Sequence, residues 1–237
     1  MSQLLALQRL GTVDYAQARR IQADLWRRRA GSKILDTLLV LEHPPTITAG
    51  QATDLADLLV DWSGLRRRGI AFFFADRGGG LTCHTPGQLV AYPVVDLRQR
   101  GSDVLQYLRD LEEAVILTLV DLSIEGWRDK RQAGVWASRG KIASIGVGVR
   151  RWVTTHGVAV NVCNNLEYFS LIRPCGADQA MTSVSLELGH DVAVEAVGGL
   201  FVKRFAEVFG AGTVEVSPTA GSRRSCPLPS ERSRQCS

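Results

Sequence analysis

The sequence predicts an α/β (α+β) fold, in which a single domain is built around one mixed β-sheet flanked by helices. Compact apolar runs at residues 35–42 and 89–95 are typical of buried strands. Residues 102–122 carry apolar side chains at helical spacing. Residues 134–162 contain three strand-like segments joined by short turns, which indicates an antiparallel meander. Strands of both kinds around a few helices favour one mixed sheet.

A strand is expected almost from Met1, and a helix follows it. Asp14 and Gln17 have the spacing of a capping box at the start of that helix. Ala18, Ile21 and Leu25 then recur every three or four residues, so one apolar face is predicted.

The segments up to the long helix alternate between strand and loop. Residues 46–50 and 70–75 are interpreted as strands, whereas residues 51–68 are mixed and predict a loop or a short helix. Ser102 is the expected N-cap of the helix over residues 102–122.

The meander is expected to consist of residues 134–138, 141–149 and 152–162, with Arg139 and Gly140 as the first tight turn.

A final helix is predicted over residues 193–209, although Gly198 and Gly199 weaken it. Residues 218–237 are rich in Pro, Gly, Ser and Arg and show no apolar period, so a disordered tail is expected there. The prediction is a catalytic domain over residues 1–217 followed by that tail.

Composition excludes several classes of partner and site. The net charge is +4, but residues 218–237 hold four arginines and one glutamate, so the rest of the chain is nearly balanced and nucleic acid is not expected as a partner. No apolar run approaches a membrane span, and no signal or transit segment is expected. Five cysteines without CxxC spacing predict neither a disulfide framework nor a metal site. A reducing cytoplasm is the expected compartment.

A glycine-rich stretch precedes the buried strand at residues 89–95. Arg77 is followed by three glycines, then by His84 and a Pro-Gly turn. Glycines let a backbone approach a ligand closely, although most glycine runs are simply turns.

This stretch, residues 77–93, resembles the signature RGGxxTxHxPGQLVxYP of the lipoyl(octanoyl) transferases, which belong to the biotin and lipoate ligase superfamily. Further blocks similar to that family follow in the same order, and the resemblance extends over residues 7–209. The blocks are LVLEHP (39–44), GVW (134–136), KIASIGV (141–147), HGVAVN (156–161), IRPCG (172–176) and MTS (181–183). The resemblance implies a biotin/lipoate protein ligase-like fold.

Cys175 is the candidate nucleophile. Pro174 restricts the backbone angles before Cys175, and Gly176 permits an unusual backbone angle after it. The thiol is therefore expected to be accessible in a tight turn. A buried structural cysteine is the commoner role, and the resemblance favours the nucleophile. Lys141 is identified as its activator by resemblance alone. Strict alternation would put Lys141 on the bulky face of its strand, so a bulge or twist must re-aim it.

The resemblance implies an acyl pocket made of the glycine-rich stretch and two later strands. Small residues at 144, 146 and 148 also leave one strand face nearly bare. The expected pocket residues are Arg77, Gly78, Gly79, Gly80, Leu81, Thr82, Cys83, His84, Ser144, Ile145, Gly146, Gly157, Val158 and Ala159.

Two residues depart from the family pattern, and two histidines have open roles. Cys83 stands where the family has an aromatic residue and Thr85 where it has glycine, so an altered chain-length preference is expected. His84 and His156 are either acid–base groups or structural histidines.

The function implied by the resemblance is acyl transfer in lipoate biosynthesis. An octanoyl group would pass from octanoyl-acyl carrier protein to Cys175 as a thioester. From there it would pass to a lysine on lipoyl domains of 2-oxoacid dehydrogenases or the glycine cleavage H protein, without a cofactor. The alternatives are an ATP-dependent lipoate or biotin protein ligase and a non-catalytic acyl-binding protein.

Overall fold

A computed structural model describes residues 3–174 and 180–217 of the chain. The strands are β1 (Gln3–Thr12), β2 (Asp36–Glu42), β3 (Thr46–Ala49), β4 (Ala71–Phe74), β5 (Leu81–His84), β6 (Gln88–Val94), β7 (Gly134–Ala137), β8 (Gly140–Arg150), β9 (Val153–Asn161) and β10 (Ala211–Glu215). The α-helices are α1 (Tyr15–Ala30), α2 (Trp62–Arg67), α3 (Val104–Asp121), α4 (Val184–Leu188) and α5 (Val194–Val208).

Two sheets organise the described residues. The larger has seven strands in the order β10-β1-β2-β6-β9-β8-β7. Strands β10, β1 and β2 run parallel to one another, and the pairs β2–β6, β6–β9, β9–β8 and β8–β7 are antiparallel. The smaller sheet has the order β4-β3-β5. The predicted mixed sheet with flanking helices and the antiparallel meander β7–β8–β9 are therefore confirmed.

Helices cover both faces of the large sheet. Leu111 of α3 and Phe201 and Phe205 of α5 are fully buried in one apolar cluster with the sheet. Ala18 and Leu25 of α1 belong to a second cluster formed with other sheet residues. The predicted apolar faces of α1, α3 and α5 form the core, except that Leu105 of the predicted α3 stripe is 74% exposed.

The helix starts differ from the predicted caps. Asp14 occupies the N-cap of α1 but makes no side-chain capping hydrogen bond. In α3 the cap is Asp103, whose carboxylate accepts from the Gln106 backbone N–H at 2.9 Å, while Ser102 has a left-handed φ of 54°. Asp103, one residue nearer the helix, is therefore the N-cap instead of Ser102. Both side chains are good caps, but only position 103 has the N-cap geometry.

Some elements had no sequence prediction. The short strands β5 and β10 and the helix α4 were not predicted, and the β7–β8 turn consists of Ser138 and Arg139 instead of residues 139 and 140. In α5 the predicted weak point at Gly198 has a packing reason. A Cβ there would meet the Leu89 side chain at 3.3 Å, so glycine lets the helix lie close to β6.

Cys175, with its neighbours up to Gln179, and the predicted tail 218–237 lie outside the described residues. In the part of the chain that the structure describes, no helix has both the length and the apolar character needed to span a bilayer.

Candidate active site

A cavity of about 520 Å³ lies between the glycine-rich stretch and strands β8 and β9. We call it the first cavity. One wall consists of residues 77–82, and the opposite wall consists of residues 144–147 and 156–159. Tyr15 of α1 and Tyr92 of β6 also border it. This volume is in the range of sites for small organic ligands.

Most residues expected from the sequence come together here. Around the first cavity lie Lys141, Arg77, Gly78, Gly79, Gly80, Leu81, Thr82, His84, Ser144, Ile145, Gly146, Gly157, Val158 and Ala159. Of the remaining two, Cys175 lies outside the described residues. Cys83 is placed elsewhere.

Cys83 faces away from the first cavity. Its side chain is 1% exposed and packs in the apolar cluster of the small sheet, together with Ile47 and Leu65. Successive side chains of a strand point to opposite faces, so Thr82 and His84 border the cavity whereas Cys83 does not. The expectation that Cys83 contacts an acyl chain in this cavity is therefore wrong, whereas the altered chain-length preference stays a prediction.

A β-bulge directs Lys141 into the first cavity. The pairing of β7 with β8 skips Ile142, which is thus an extra residue in β8. As a result Ile142 and Ala143 both lie in the core, and Lys141 and Ser144 both border the cavity. The bulge that the sequence required for Lys141 is present.

The Lys141 side chain is buried and closely held. It is 3% exposed, and its Nζ lies 4.8 Å from the centroid of the Trp136 ring. An ammonium over an aromatic face is stabilised by the ring quadrupole. Behind it, a Cβ on Gly134 would lie 2.7 Å from Lys141 Cε, and the φ of Gly134 is +145°. Only glycine at 134 leaves room for this lysine.

The described residues on both sides of the undescribed segment approach Lys141. Its backbone N–H donates to the Ala180 carbonyl at 2.9 Å, and its carbonyl accepts from Thr182 N–H at 3.0 Å. Pro174, the residue before Cys175, borders the first cavity. The residues after the undescribed segment are therefore hydrogen-bonded to Lys141, and the residue before it borders the same cavity as Lys141.

Arg77 secures the glycine-rich stretch. Its buried guanidinium donates to the Thr48 carbonyl and hydroxyl at 2.9 and 2.8 Å and to the Gly78 carbonyl at 2.9 Å. The Gly78 N–H donates to the Val147 carbonyl at 2.9 Å. Arg77 thus ties the stretch to β3, and Gly78 ties it to β8.

The nearly bare face of β8 holds this same stretch. A Cβ on Gly148 would lie 2.5 Å from the Asp76 carbonyl oxygen, and one on Gly146 would lie 3.1 Å from the Gly78 carbonyl oxygen. Small residues on β8 were expected to admit a ligand. They also admit the backbone of residues 76–78, which then forms the wall of the first cavity.

His84 is a neutral, buried hydrogen-bonding group. Gln88 Nε2 donates to the Cys83 carbonyl and to Asn161 Oδ1, so Gln88 Oε1 accepts from His84 Nδ1 at 2.8 Å. The other ring nitrogen is then unprotonated. Burial lowers the pKa of His84 to about 3. These contacts favour the structural role over the acid–base role for this histidine.

Two tyrosines and a further histidine, none of them predicted, lie beside His84. His43 Nδ1 donates to the Val13 carbonyl at 2.6 Å, and its Nε2 accepts from the Tyr92 hydroxyl at 2.9 Å. Burial lowers the pKa of His43 to about 4 and raises that of Tyr15 to about 12. Among residues 3–174 and 180–217, the Tyr15 hydroxyl has no hydrogen-bond partner.

His156 is fixed to a carboxylate. Its Nε2 donates to Asp76 at 2.9 Å, and this hydrogen bond is the main cause that lowers the pKa of Asp76 to about 2. The ring is 3% exposed, so this second candidate histidine is also held in place. No group of three or more metal-binding side chains was found in the described part of the chain.

Residues 14–206 match the family described as the lipoyl protein ligase A/B catalytic domain. This chain belongs to that family. The resemblance inferred from the sequence blocks is thereby confirmed.

Named relatives are similar over most of their length. The chain is 47% identical over 203 residues to the octanoyltransferase of Solibacter usitatus, covering 86% of this chain and 92% of that one. It is 42% identical over 205 residues to the octanoyltransferase of Caldicellulosiruptor saccharolyticus, covering 85% of this chain and 87% of that one.

Solved structures support the fold. A lipoate-protein ligase A bound with ATP superposes with a TM-score of 0.72 at 18% identity, over 93% of this chain and 90% of that one. The bi-partite lipoate protein ligase of Thermoplasma acidophilum gives a TM-score of 0.70 at 19% identity, over 93% and 88%. The biotin/lipoate ligase-like fold is confirmed.

The buried histidines His43 and His84 should make the stability of this chain depend on pH. Both pKa values are lowered, to about 4 for His43 and about 3 for His84, from an ordinary 6.5. Below pH 6.5 the unfolded chain therefore binds more protons than the folded chain, and the free energy of unfolding falls as pH falls. The decline should reach up to about 1.4 kcal/mol per pH unit for each histidine.

Urea unfolding at several values between pH 7 and 4.5 measures this decline. The window stays above 3.8, the ordinary pKa of an unfolded aspartate, so protonation of carboxylates such as Asp76 contributes only at its lower end. A double variant, His43→Gln with His84→Gln, should show a much flatter profile. Equal slopes for the parent and the double variant would contradict the assignment.

Proposed function

We propose that this chain is an octanoyltransferase that moves an octanoyl group from octanoyl-acyl carrier protein to a lysine of a lipoyl domain. One observation supports the proposal most strongly. The chain shares 47% identity, over 86% of its length, with a relative named octanoyltransferase. A buried Lys141 that borders a cavity together with Pro174, the neighbour of Cys175, is consistent with a Cys–Lys site.

The first half of the proposed reaction forms a thioester on Cys175. A thiolate is the reactive form of cysteine, and an ammonium nearby favours it over the thiol, whose ordinary pKa is about 8.5. The Cys175 thiolate adds to the carbonyl carbon of the carrier thioester. The carbon–sulfur bond to the carrier breaks, and the carrier thiolate leaves and takes up a proton, with Lys141 as the proposed donor.

The second half forms an amide. The lysine amine of the lipoyl domain adds to the carbonyl carbon of the octanoyl-Cys175 thioester and loses a proton, with neutral Lys141 as the proposed acceptor. The bond to Cys175 sulfur then breaks, which regenerates the thiolate. An amide is more stable than a thioester, so the sequence of steps requires no nucleotide and no bound cofactor.

The first cavity is the proposed acyl site. Residues 77–80, Ile145 and residues 157–159 border it. Close approach of backbone with few side chains leaves a channel beside β8 and β9 in which an alkyl chain can lie. Lys141 is at one border of this space, where the carbonyl group would be held.

Intact mass spectrometry of the full chain mixed with octanoyl-acyl carrier protein tests the proposal. The chain should gain the mass of one octanoyl group, and peptide mapping should place it on Cys175. Addition of a lipoyl domain should then transfer that mass to the domain without nucleotide.

Other outcomes identify the alternatives. If modification of the lipoyl domain requires ATP and free acid, the chain is a ligase. If acyl carrier protein binds but neither the chain nor the domain gains mass, the chain is a non-catalytic acyl-binding protein. Either result would overturn the proposal.

Gly134→Ala should impair the reaction by displacing Lys141. The added Cβ would lie 2.7 Å from Lys141 Cε and 2.7 Å from the Ala143 carbonyl oxygen, at a φ that side chains rarely adopt. Misplacement of a catalytic group by about 1 Å can cost about a hundredfold in rate. Steady-state transfer rates measure the loss. Gly199→Ala, which adds a Cβ with no atom within 4 Å, is the matched control and should retain the parental rate.

A further inference from the structure

A second cavity, of about 420 Å³, lies between α1 and the end of the β8–β9 hairpin. Arg19, Arg20 and Trp26 of α1 border it on one side, and Arg150 and His156 border it on the other. His156 is shared with the first cavity, but the two spaces are otherwise lined by different residues. Its size is sufficient for a small organic ligand.

Three guanidinium groups surround this space without an acidic partner at ion-pair distance. The Arg19 side chain donates to the Phe74 carbonyl at 3.3 Å, and the Arg150 guanidinium lies 5.1 Å from the centroid of the Trp26 ring. Within residues 3–174 and 180–217, no carboxylate lies within 4.0 Å of the cationic nitrogens of Arg19, Arg20 or Arg150. Arg19, Arg20 and Arg150 are exposed and border the same space, so an anion there would be attracted to all three.

Asp76 is the carboxylate that borders the second cavity, and it is already engaged. Its Oδ1 accepts from His156 Nε2 at 2.9 Å. It attracts Arg19 through space, which contributes to its lowered pKa, but one carboxylate does not balance three arginines. The cavity therefore keeps a net positive charge.

A buried amide fixes part of the wall of the second cavity. Gln22 is 3% exposed and borders the second cavity. Its Oε1 accepts from the His156 backbone N–H at 2.7 Å, which fixes the amide orientation. In the described part of the chain its Nε2 has no acceptor. The Nε2 atom is itself buried from solvent, so this amide orients the His156 backbone at the cavity wall, and the arginines carry the recognition of an anion.

The remaining wall is apolar. Ala16 and Ala23 of α1, Trp26 and Phe73 border the space. The Trp26 ring is held by its Nε1, which donates to the Arg150 carbonyl at 3.2 Å. The arginines could bind the charged head of a ligand, and the apolar wall could contact a small apolar body.

We propose that the second cavity is a binding site for a small organic oxyanion, a phosphate monoester or a carboxylate, with an apolar body. The arginines would hold the oxyanion through charge-assisted hydrogen bonds, for which the planar guanidinium is well suited. The body would lie against Trp26 and Phe73. This site does not depend on acyl transfer, so it can be tested on the full chain without an acyl donor.

Isothermal titration calorimetry at low ionic strength with three matched probes tests the proposal. Phenyl phosphate and benzoate carry the two headgroups, and benzyl alcohol is the neutral control. We expect one equivalent of at least one anionic probe to bind and benzyl alcohol not to bind. The tighter of the two anions identifies the headgroup. Absence of binding by both anions, or equal binding of benzyl alcohol, would overturn the proposal.

Arginine variants test whether the anion binds in the second cavity. Arg19→Gln with Arg20→Gln should weaken binding at least about tenfold, because hydrogen bonds to charged groups are lost. Arg27→Gln removes the same charge from the same helix outside the cavity and should bind like the parent. Equal affinity of the double variant and the parent would show that the anion binds elsewhere.

A measurement on the unmodified chain guards against a variant that does not fold. Phenylglyoxal reacts with accessible arginines, and peptide mass spectrometry reports which ones. Phenyl phosphate should slow the reaction of Arg19, Arg20 and Arg150 relative to Arg27. Unchanged rates at these three positions would contradict a site in the second cavity.

Discussion

The Cys175→Ala variant should retain less than about a thousandth of the parental octanoyl transfer, because loss of a covalent nucleophile removes a step that no other group replaces. Cys83 and Cys163, the cysteines that the structure describes, cannot substitute for Cys175. Burial raises the pKa of Cys83 to about 12, and burial is also the main cause that raises the pKa of Cys163. Both therefore remain largely protonated thiols near neutral pH, and the thiol is a poor nucleophile.

Single-turnover transfer to a lipoyl domain is the appropriate measurement, with Cys163→Ala and Cys83→Ala as controls. Cys163 is exposed and should tolerate the change. Cys83 is buried, so its alanine variant should lose some stability but keep its transfer rate. If Cys175→Ala transfers the octanoyl group at a rate near that of the parent, the covalent mechanism is wrong.

Arg29→Met should lower the free energy of unfolding by about 3 kcal/mol, since it leaves the buried Asp36 carboxylate without its cation, while Asp96 keeps its ion pair with Arg98 at 2.6 Å. Arg29 Nε lies 2.6 Å from Asp36 Oδ1, and its Nη1 lies 3.4 Å from Asp96 Oδ2. All three residues are less than 5% exposed. Asp36 Oδ1 also accepts from the Asp96 backbone N–H at 3.0 Å, so the cluster joins α1 to β2 and the end of β6.

Urea or thermal unfolding measures this cost, and the chain offers a matched control. Arg27 is on the same helix, and its ion pair with Asp24 at 3.4 Å is exposed on both sides. Exposed pairs contribute little, so Arg27→Met should change stability by no more than about 0.5 kcal/mol. If both variants lose a similar amount of unfolding free energy, the buried cluster does not stabilise the fold more than an exposed ion pair does.

Periodicity predicted the elements that bury a face. Strands β2 and β6 are buried along nearly their whole length, and α3 keeps an apolar stripe, so their sequences differ clearly from their surroundings. By contrast, β10 is mostly exposed and has only five residues, so it has no such pattern. It exists because β1 offers it a parallel partner, which a local pattern cannot reveal.

Sequence blocks predicted which residues surround the first cavity. The directions of individual side chains could be seen only in the structure. The bulge at Ile142 could be stated as a condition for Lys141, yet only the pairing of β7 with β8 shows it. Cys83 lay inside a matching block and still faces the opposite side of β5. Tyr15 was missed because it lies far from the other cavity residues along the chain and reaches them through the packing of α1 on the sheet.

The position of β1 between β2 and β10 has a consequence for the order of folding. β1 can pair with β2 as soon as α1 has formed, because that unit is local in sequence. The pairing of Leu5 with Thr213 must wait until nearly the whole described chain is available. Phe201 and Phe205, which complete the larger core cluster, come equally late. Contacts between distant parts of a chain form slowly, since loop-closure entropy is lost before they are made. During synthesis, the outer edge of β1 should therefore remain unpaired, and this is the period in which the nascent chain is most exposed to aggregation.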